Sequence, residues 1–159
     1  MPGADRRLRF STLEATLEFA RGLARLLAQG DIVLLEGELG AGKTELARAI
    51  IRELVGLPIA VPSPTFSLVQ TYDAPHWPIA HADLYRLGDP EEVVELGLEE
   101  FSDLGVLIVE WPSRAGEGVF PATAILIEMN DIGGEHREIY LRSSDEGWRH
   151  RLAVILDAA

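Results

Sequence analysis

Apolar residues along the chain change their spacing several times, and each change marks an element. Leu13, Leu17, Ala20, Ala24 and Leu27 recur at helical intervals behind Ser11 and Glu14, which have capping-box spacing, until Gln29-Gly30 stops the pattern. This predicts a helix with one buried face. Asp31 to Glu36 is a short β-rich apolar run that reads as a buried strand ending at Gly37. Helical spacing returns at Leu46, Ile50 and Leu54, in a helix that opens at Gly42-Lys43 and closes at Gly56 with Pro58 beyond. Pro62 and Pro64 exclude helix interior from 61 to 66, leaving an ordered loop.

Beyond that loop, Ser67–Tyr72 and Trp77–Asp83 are β-like runs separated by Asp73-Ala74-Pro75-His76, which predicts an antiparallel pair. An acidic helix is expected from Pro90 to Phe101, since proline suits a first helical turn. Val106-Leu107-Ile108-Val109-Glu110 is the most apolar strand candidate, and it ends in a carboxylate. Two further strands, Thr123–Met129 and Arg137–Arg142, flank a turn at Asn130–Gly134, and Asp145–Leu156 forms a last helix. The first ten residues read as a loose N-terminal end. No repeat, linker or low-complexity segment interrupts residues 1–159, so one domain of mixed α/β type is expected.

Composition narrows the chemistry. With 159 residues, 47% of them hydrophobic and 25% charged, the chain can bury a core without cross-links. The absence of cysteine excludes disulfides, thiolate metal sites and thiol catalysis. A formal net charge of −12 makes unassisted binding to a nucleic-acid backbone unfavourable. No secretory h-region and no apolar run of membrane-spanning length is visible, so a soluble, cytoplasmic protein is expected. Thirteen of the 14 basic residues are arginine, and the single lysine is Lys43.

That lysine belongs to Gly37-Glu38-Leu39-Gly40-Ala41-Gly42-Lys43-Thr44, a G-x-x-x-x-G-K-[ST] sequence placed between a buried strand and a helix. Glycines let successive backbone N–H groups turn inward around a phosphate, and the helix N-terminus adds positive potential there. Lys43 would contact the β- and γ-phosphates, and the Thr44 hydroxyl would coordinate magnesium. A Gly-rich βα turn with a solvated lysine is the plain alternative. It leaves unexplained why a chain that uses arginine for every other positive charge keeps a compact ammonium here.

A phosphate-binding loop of this kind needs an acidic residue at the end of a neighbouring strand. Glu110 and Asp83 both qualify, one as metal ligand and the other to orient an attacking water. A Ras-type GTPase is disfavoured, because its Asn-Lys-x-Asp motif needs a second lysine. A small-molecule kinase would want clustered arginines and a lid, whereas Arg86, Arg114 and Arg137 are scattered.

The phosphate-binding loop, Ser63-Pro64-Thr65-Phe66, His81-Ala82-Asp83-Leu84-Tyr85-Arg86-Leu87, Asp89-Pro90-Glu91-Glu92, Glu95-Leu96-Gly97 and Val109-Glu110-Trp111-Pro112 follow one another in this order. Together they resemble the TsaE family, bacterial ATPases of tRNA threonylcarbamoyladenosine biosynthesis, over about residues 10–142. The resemblance implies a P-loop NTPase fold with a mixed parallel/antiparallel central sheet flanked by helices. It implies an ATP- and Mg2+-dependent enzyme whose turnover supports two partner subunits of the TsaB and TsaD type. Those partners form N6-threonylcarbamoyladenosine at A37 of tRNAs, so tRNA would be reached only through the complex.

By the same resemblance, Gly40, Ala41, Gly42, Lys43, Thr44 and Glu45 would hold the nucleotide, with Leu13 and Arg137 contacting it. Lys43, Asp83, Glu110 and Thr65 would be catalytic, Thr65 in a switch-like loop. Thr44, Glu110 and Asp83 would serve the metal. A nucleotide-dependent binding module with slow hydrolysis, and a small-molecule kinase, stand as alternatives. His81 shares a strand face with Asp83, which by itself fixes no contact. Trp111 before Pro112 reads as packing and a chain stop, and the acidic stretch Pro90–Glu100 as a solvated helix face. His76, His136 and His150 lack ligand spacing, so no zinc site is expected.

Overall fold

The apolar run Ile32–Gly37 lies at the centre of a seven-stranded sheet in the computed structural model, which describes residues 4–64 and 67–156. In chain order the elements are β1 (Ala4–Phe10), α1 (Leu13–Ala24), β2 (Ile32–Gly37), α2 (Lys43–Val55), β3 (Val69–Asp73), β4 (Pro78–Asp83), α3 (Glu92–Glu95) and α4 (Leu98–Leu104). They continue with β5 (Val106–Glu110), a 3-10 turn (Pro112–Ala115), β6 (Ile125–Asp131), β7 (Arg137–Ser143) and α5 (Glu146–Leu156). The strands lie in the order β1-β7-β6-β2-β5-β4-β3. β6, β2, β5 and β4 are mutually parallel, while β7 and β1 at one edge and β3 at the other run antiparallel to their neighbours. The fold is thus an α/β sheet of mixed direction flanked by helices, as expected.

Strand alternation divides the core in two. Val33, Leu35, Val106 and Ile108 pack beneath α1, α2 and α5 with Leu23, Leu46, Ile50 and Trp148. Ile32, Leu107 and Val109 point to the other face, where Val93 and Leu98 cover them. Both faces of β5 are buried along its whole length, which is why its sequence is continuously apolar. On the α1–α2 side, the Arg151 guanidinium pairs with both Asp31 carboxylate oxygens at 2.5 and 3.0 Å and lies 3.9 Å from the Trp148 ring centroid. No helix among the described residues is long and apolar enough to cross a membrane.

Three boundaries differ from the sequence expectations. The stretch 1–10, expected to be loose, contains β1, which pairs with β7 from Ala4↔Ser143 to Phe10↔Arg137. Leu8 and Phe10 supply its inward face, with Phe10 against the Phe19 ring at 5.4 Å. Helix α1 is capped by Thr12, whose hydroxyl accepts from the Ala15 N–H, rather than by Ser11. The single acidic helix expected over 90–101 is two short ones, because Gly97 between them adopts a left-handed conformation, φ +65°. Of the proline loop, residues 61–64 are irregular as expected, and Thr65 and Phe66 lie outside the described residues.

The α4–β5 junction leaves no room for a side chain. A Cβ on Gly105 would sit 1.8 Å from the Pro78 carbonyl oxygen, while its own N–H is held by the Phe101 carbonyl. Gly105→Ala is therefore expected to lower stability by about 1–3 kcal/mol, read as a lower urea midpoint at unchanged m-value.

Candidate functional site

The carboxyl ends of the parallel strands open into one cleft, the position at which open α/β sheets bind ligands. β2 leads into the Gly37–Thr44 loop, and two of its glycines are required by geometry. Gly37 has φ +154°, and a Cβ there would lie 2.4 Å from the Met129 carbonyl oxygen. Gly42, φ +106°, opens α2 in a left-handed conformation that a side chain would strain. The loop is tied internally by the Ala41 N–H donating to the Glu38 carbonyl. It is tied externally by Arg137, whose Nε donates to the Ala41 carbonyl at 2.9 Å. Arg137 Nη1 meanwhile holds the β6–β7 turn through Gly134 O, His136 O and Asp131 Oδ1. The same turn reaches α1, since the Leu13 N–H donates to Glu135 Oε1 at 2.7 Å.

Lys43 is buried with its ammonium inside the loop, donating to the carbonyls of Gly37 at 2.6 Å and Glu38 at 2.9 Å. Burial is the dominant influence and holds its pKa below the ordinary 10.5, against the opposing pull of Glu110, Glu36 and Asp83. The Trp111 ring lies over it, 4.1 Å from Nζ to the ring centroid. Trp111 gets there by local backbone geometry. Its N–H still pairs with Leu35 O, then a φ of +58° turns the chain into the 3-10 turn and brings the ring back over the loop, 4.9 Å from Tyr85. A bulky residue at positive φ is strained backbone, which here serves the cleft. The packing role expected of Trp111 thus extends to roofing the lysine.

Parallel register sets the two carboxylates side by side, Asp83 opposite Glu110. Both are buried. Glu110 Oε1 accepts the Thr44 hydroxyl at 2.7 Å, and Oε2 lies 2.6 Å from His81 Nε2. Asp83 Oδ1 accepts the Tyr85 N–H at 3.0 Å.

The cleft, of about 540 Å3, brings together Leu13, Gly40, Ala41, Gly42, Lys43, Thr44, Glu45, Asp83, Glu110 and Arg137, every site residue expected from sequence except Thr65, which lies outside the described residues. Trp111 also lines it, as do Tyr85, Ser63 and Arg86, which the sequence reading left without a role. Among the described residues no group of three or more histidines and carboxylates could hold a metal ion unaided. The donors present are the Thr44 hydroxyl, Glu110 and Asp83, all hard oxygens. This set fits magnesium, which takes one or two carboxylates and completes its shell with water and phosphate oxygens.

Comparison with known proteins converges on one family. Residues 10–139 match the family described as threonylcarbamoyl adenosine biosynthesis protein TsaE. A Rickettsia bellii protein named tRNA threonylcarbamoyladenosine biosynthesis protein TsaE is 49% identical over 124 residues, covering 78% of this chain and 85% of its own. Its Bacillus subtilis namesake is 37% identical over 127 residues, 79% of this chain and 78% of its own. The crystal structure of Bacillus subtilis YdiB superposes with a TM-score of 0.77 at 28% identity, over 94% of this chain and 93% of that one.

The buried lysine gives a pH signature. Because its folded pKa is lowered, the unfolded chain binds more protons between that value and 10.5, so the Lys43 contribution to stability improves as pH rises through this window. Denaturant titrations of wild type and Lys43→Met should therefore show the wild type gaining on the variant as the pH rises toward 10.5. A constant or widening deficit would contradict the burial cost.

Proposed function

The chain belongs to the TsaE family, and from that premise we propose that it is the magnesium-dependent ATPase subunit of a complex that forms N6-threonylcarbamoyladenosine at A37 of tRNAs. The observation that carries this reading is the meeting of Lys43, Thr44, Glu110 and Asp83 at one end of the sheet. Its partners are two cytoplasmic subunits of the TsaB and TsaD type. A net charge of −12 agrees with a subunit that reaches tRNA through them rather than by its own surface.

The residues divide the work by position. Gly40, Ala41 and Gly42 bring the loop backbone against a bound triphosphate, with the N-terminus of α2 behind them. Lys43 exchanges its two carbonyl partners for the phosphate oxygens, a trade favoured because it replaces neutral acceptors by charged ones. Magnesium, when bound with the nucleotide, neutralises charge on the β- and γ-phosphates. Thr44 and Glu110 hold it, and Asp83, anchored by the Tyr85 N–H, accepts a hydrogen bond from the attacking water and orients it. Leu13 and Arg137 wall the side of the cleft nearest the β6–β7 turn, where the rest of the nucleotide would lie, and Thr65 follows Ser63-Pro64 in the sequence.

The test is phosphate release from Mg·ATP by the chain alone and with both partners and tRNA. Release should rise with the partners, and Lys43→Ala should lower the stimulated rate at least about 100-fold. Asp83→Asn should lower kcat more than it raises KM, since it removes an interaction made with the reacting water. ATP-dependent partner binding with no rise in release would instead favour a binding module.

A further inference from the structure

Glu110 is held from below as well as from above. His81 and Asp83 lie on one face of β4, and the β5 register partner of His81 is Ile108, two residues before Glu110. The imidazole therefore sits one pleat deeper than the two carboxylates, fully buried, with Nε2 2.6 Å from Glu110 Oε2. Its Nδ1 is also buried and has no partner. A proton on Nδ1 alone would leave an unpaired buried donor and set the bare Nε2 lone pair against a carboxylate oxygen. The ring therefore carries its proton on Nε2 and donates it to Glu110.

The two Glu110 oxygens are thus made unequal. Oε2 is bound inward by His81, and Oε1 alone faces the Thr44 hydroxyl and the cleft. An unpinned carboxylate at a strand end could rotate and present either oxygen or both. If the ring served packing alone, an apolar side chain would fill the position without burying an orphan nitrogen. We propose that His81 is a positioning residue that fixes Glu110 with one oxygen toward the metal and thereby sets the affinity of the site for a divalent cation. The inference rests on the reading of Thr44 and Glu110 as the magnesium-binding pair.

The test measures binding of a non-hydrolysable ATP analogue to the full chain by calorimetry across a series of free magnesium concentrations. In His81→Leu the magnesium needed for half-maximal affinity should rise about 10–100-fold, while affinity without magnesium stays within about twofold. His81→Gln, whose side-chain amide can donate from near the Nε2 position, should restore most of the magnesium response, and the shorter His81→Asn should not. An unchanged magnesium requirement in His81→Leu, or equal losses with and without magnesium, overturns the proposal. Should His81→Leu lose its cooperative unfolding transition, the Gln and Asn variants decide, and identical magnesium requirements in the two overturn it. Wild-type binding that ignores magnesium removes the underlying assignment of Thr44 and Glu110, before any variant is compared.

Discussion

Parallel pairing fixes the height at which each strand of the central sheet lets go of its last side chain, and the cleft follows from that. β5 lies between β2 and β4, so its register aligns Glu110 with Leu35 on one side and Asp83 on the other. Leu35 is two residues before Gly37, so both carboxylates stand level with the base of the phosphate-binding loop. A one-residue slip of β4 against β5 would turn Asp83 and His81 into the opposite layer, among Ala80 and Ala82. The apolar alternation of Val106, Ile108 and Ile79 into one core forbids that slip. Packing far from the cleft therefore holds the acid pair in place.

The same arrangement concentrates cost where the chemistry is. Lys43, Asp83, His81 and Glu110 are four of the buried polar groups of this molecule, and each gives up water for a few fixed partners. The ammonium is answered by two carbonyls and an indole face, the glutamate by a hydroxyl and an imidazole. Such sites hold their charge ready for a ligand and are supported by the apolar layers on either side.

What the sequence disclosed and what it withheld divide along the same line. The loop was legible because spaced glycines end in the one lysine of an arginine-biased chain, and Glu110 because a carboxylate ends an otherwise apolar strand. His81 bonding to Glu110 was not legible, since alternation gives a face while the contact depends on β4 and β5 being neighbours. Trp111 over Lys43 depends on a single positive φ that no residue preference announces. The first strand was hidden because Arg6, on the same face as Leu8 and Phe10, cuts its apolar alternation to those two residues.

That first strand has a consequence for how the protein is made. β1 has one sheet neighbour, β7, and the pairing joins Ala4 to Ser143. During synthesis β1 emerges before the other described strands and has no seat until β7 has left the ribosome. Helix α1, which follows β1 and carries one wall of the cleft, is in addition tied to the β6–β7 turn through Leu13 and Glu135. Helix α2 can form early from local sequence, whereas the loop before it, held by Arg137, and the wall beside it close only when β6 and β7 arrive. A nascent chain thus holds helix α2 before it holds the pocket, and nucleotide capture waits for β6 and β7.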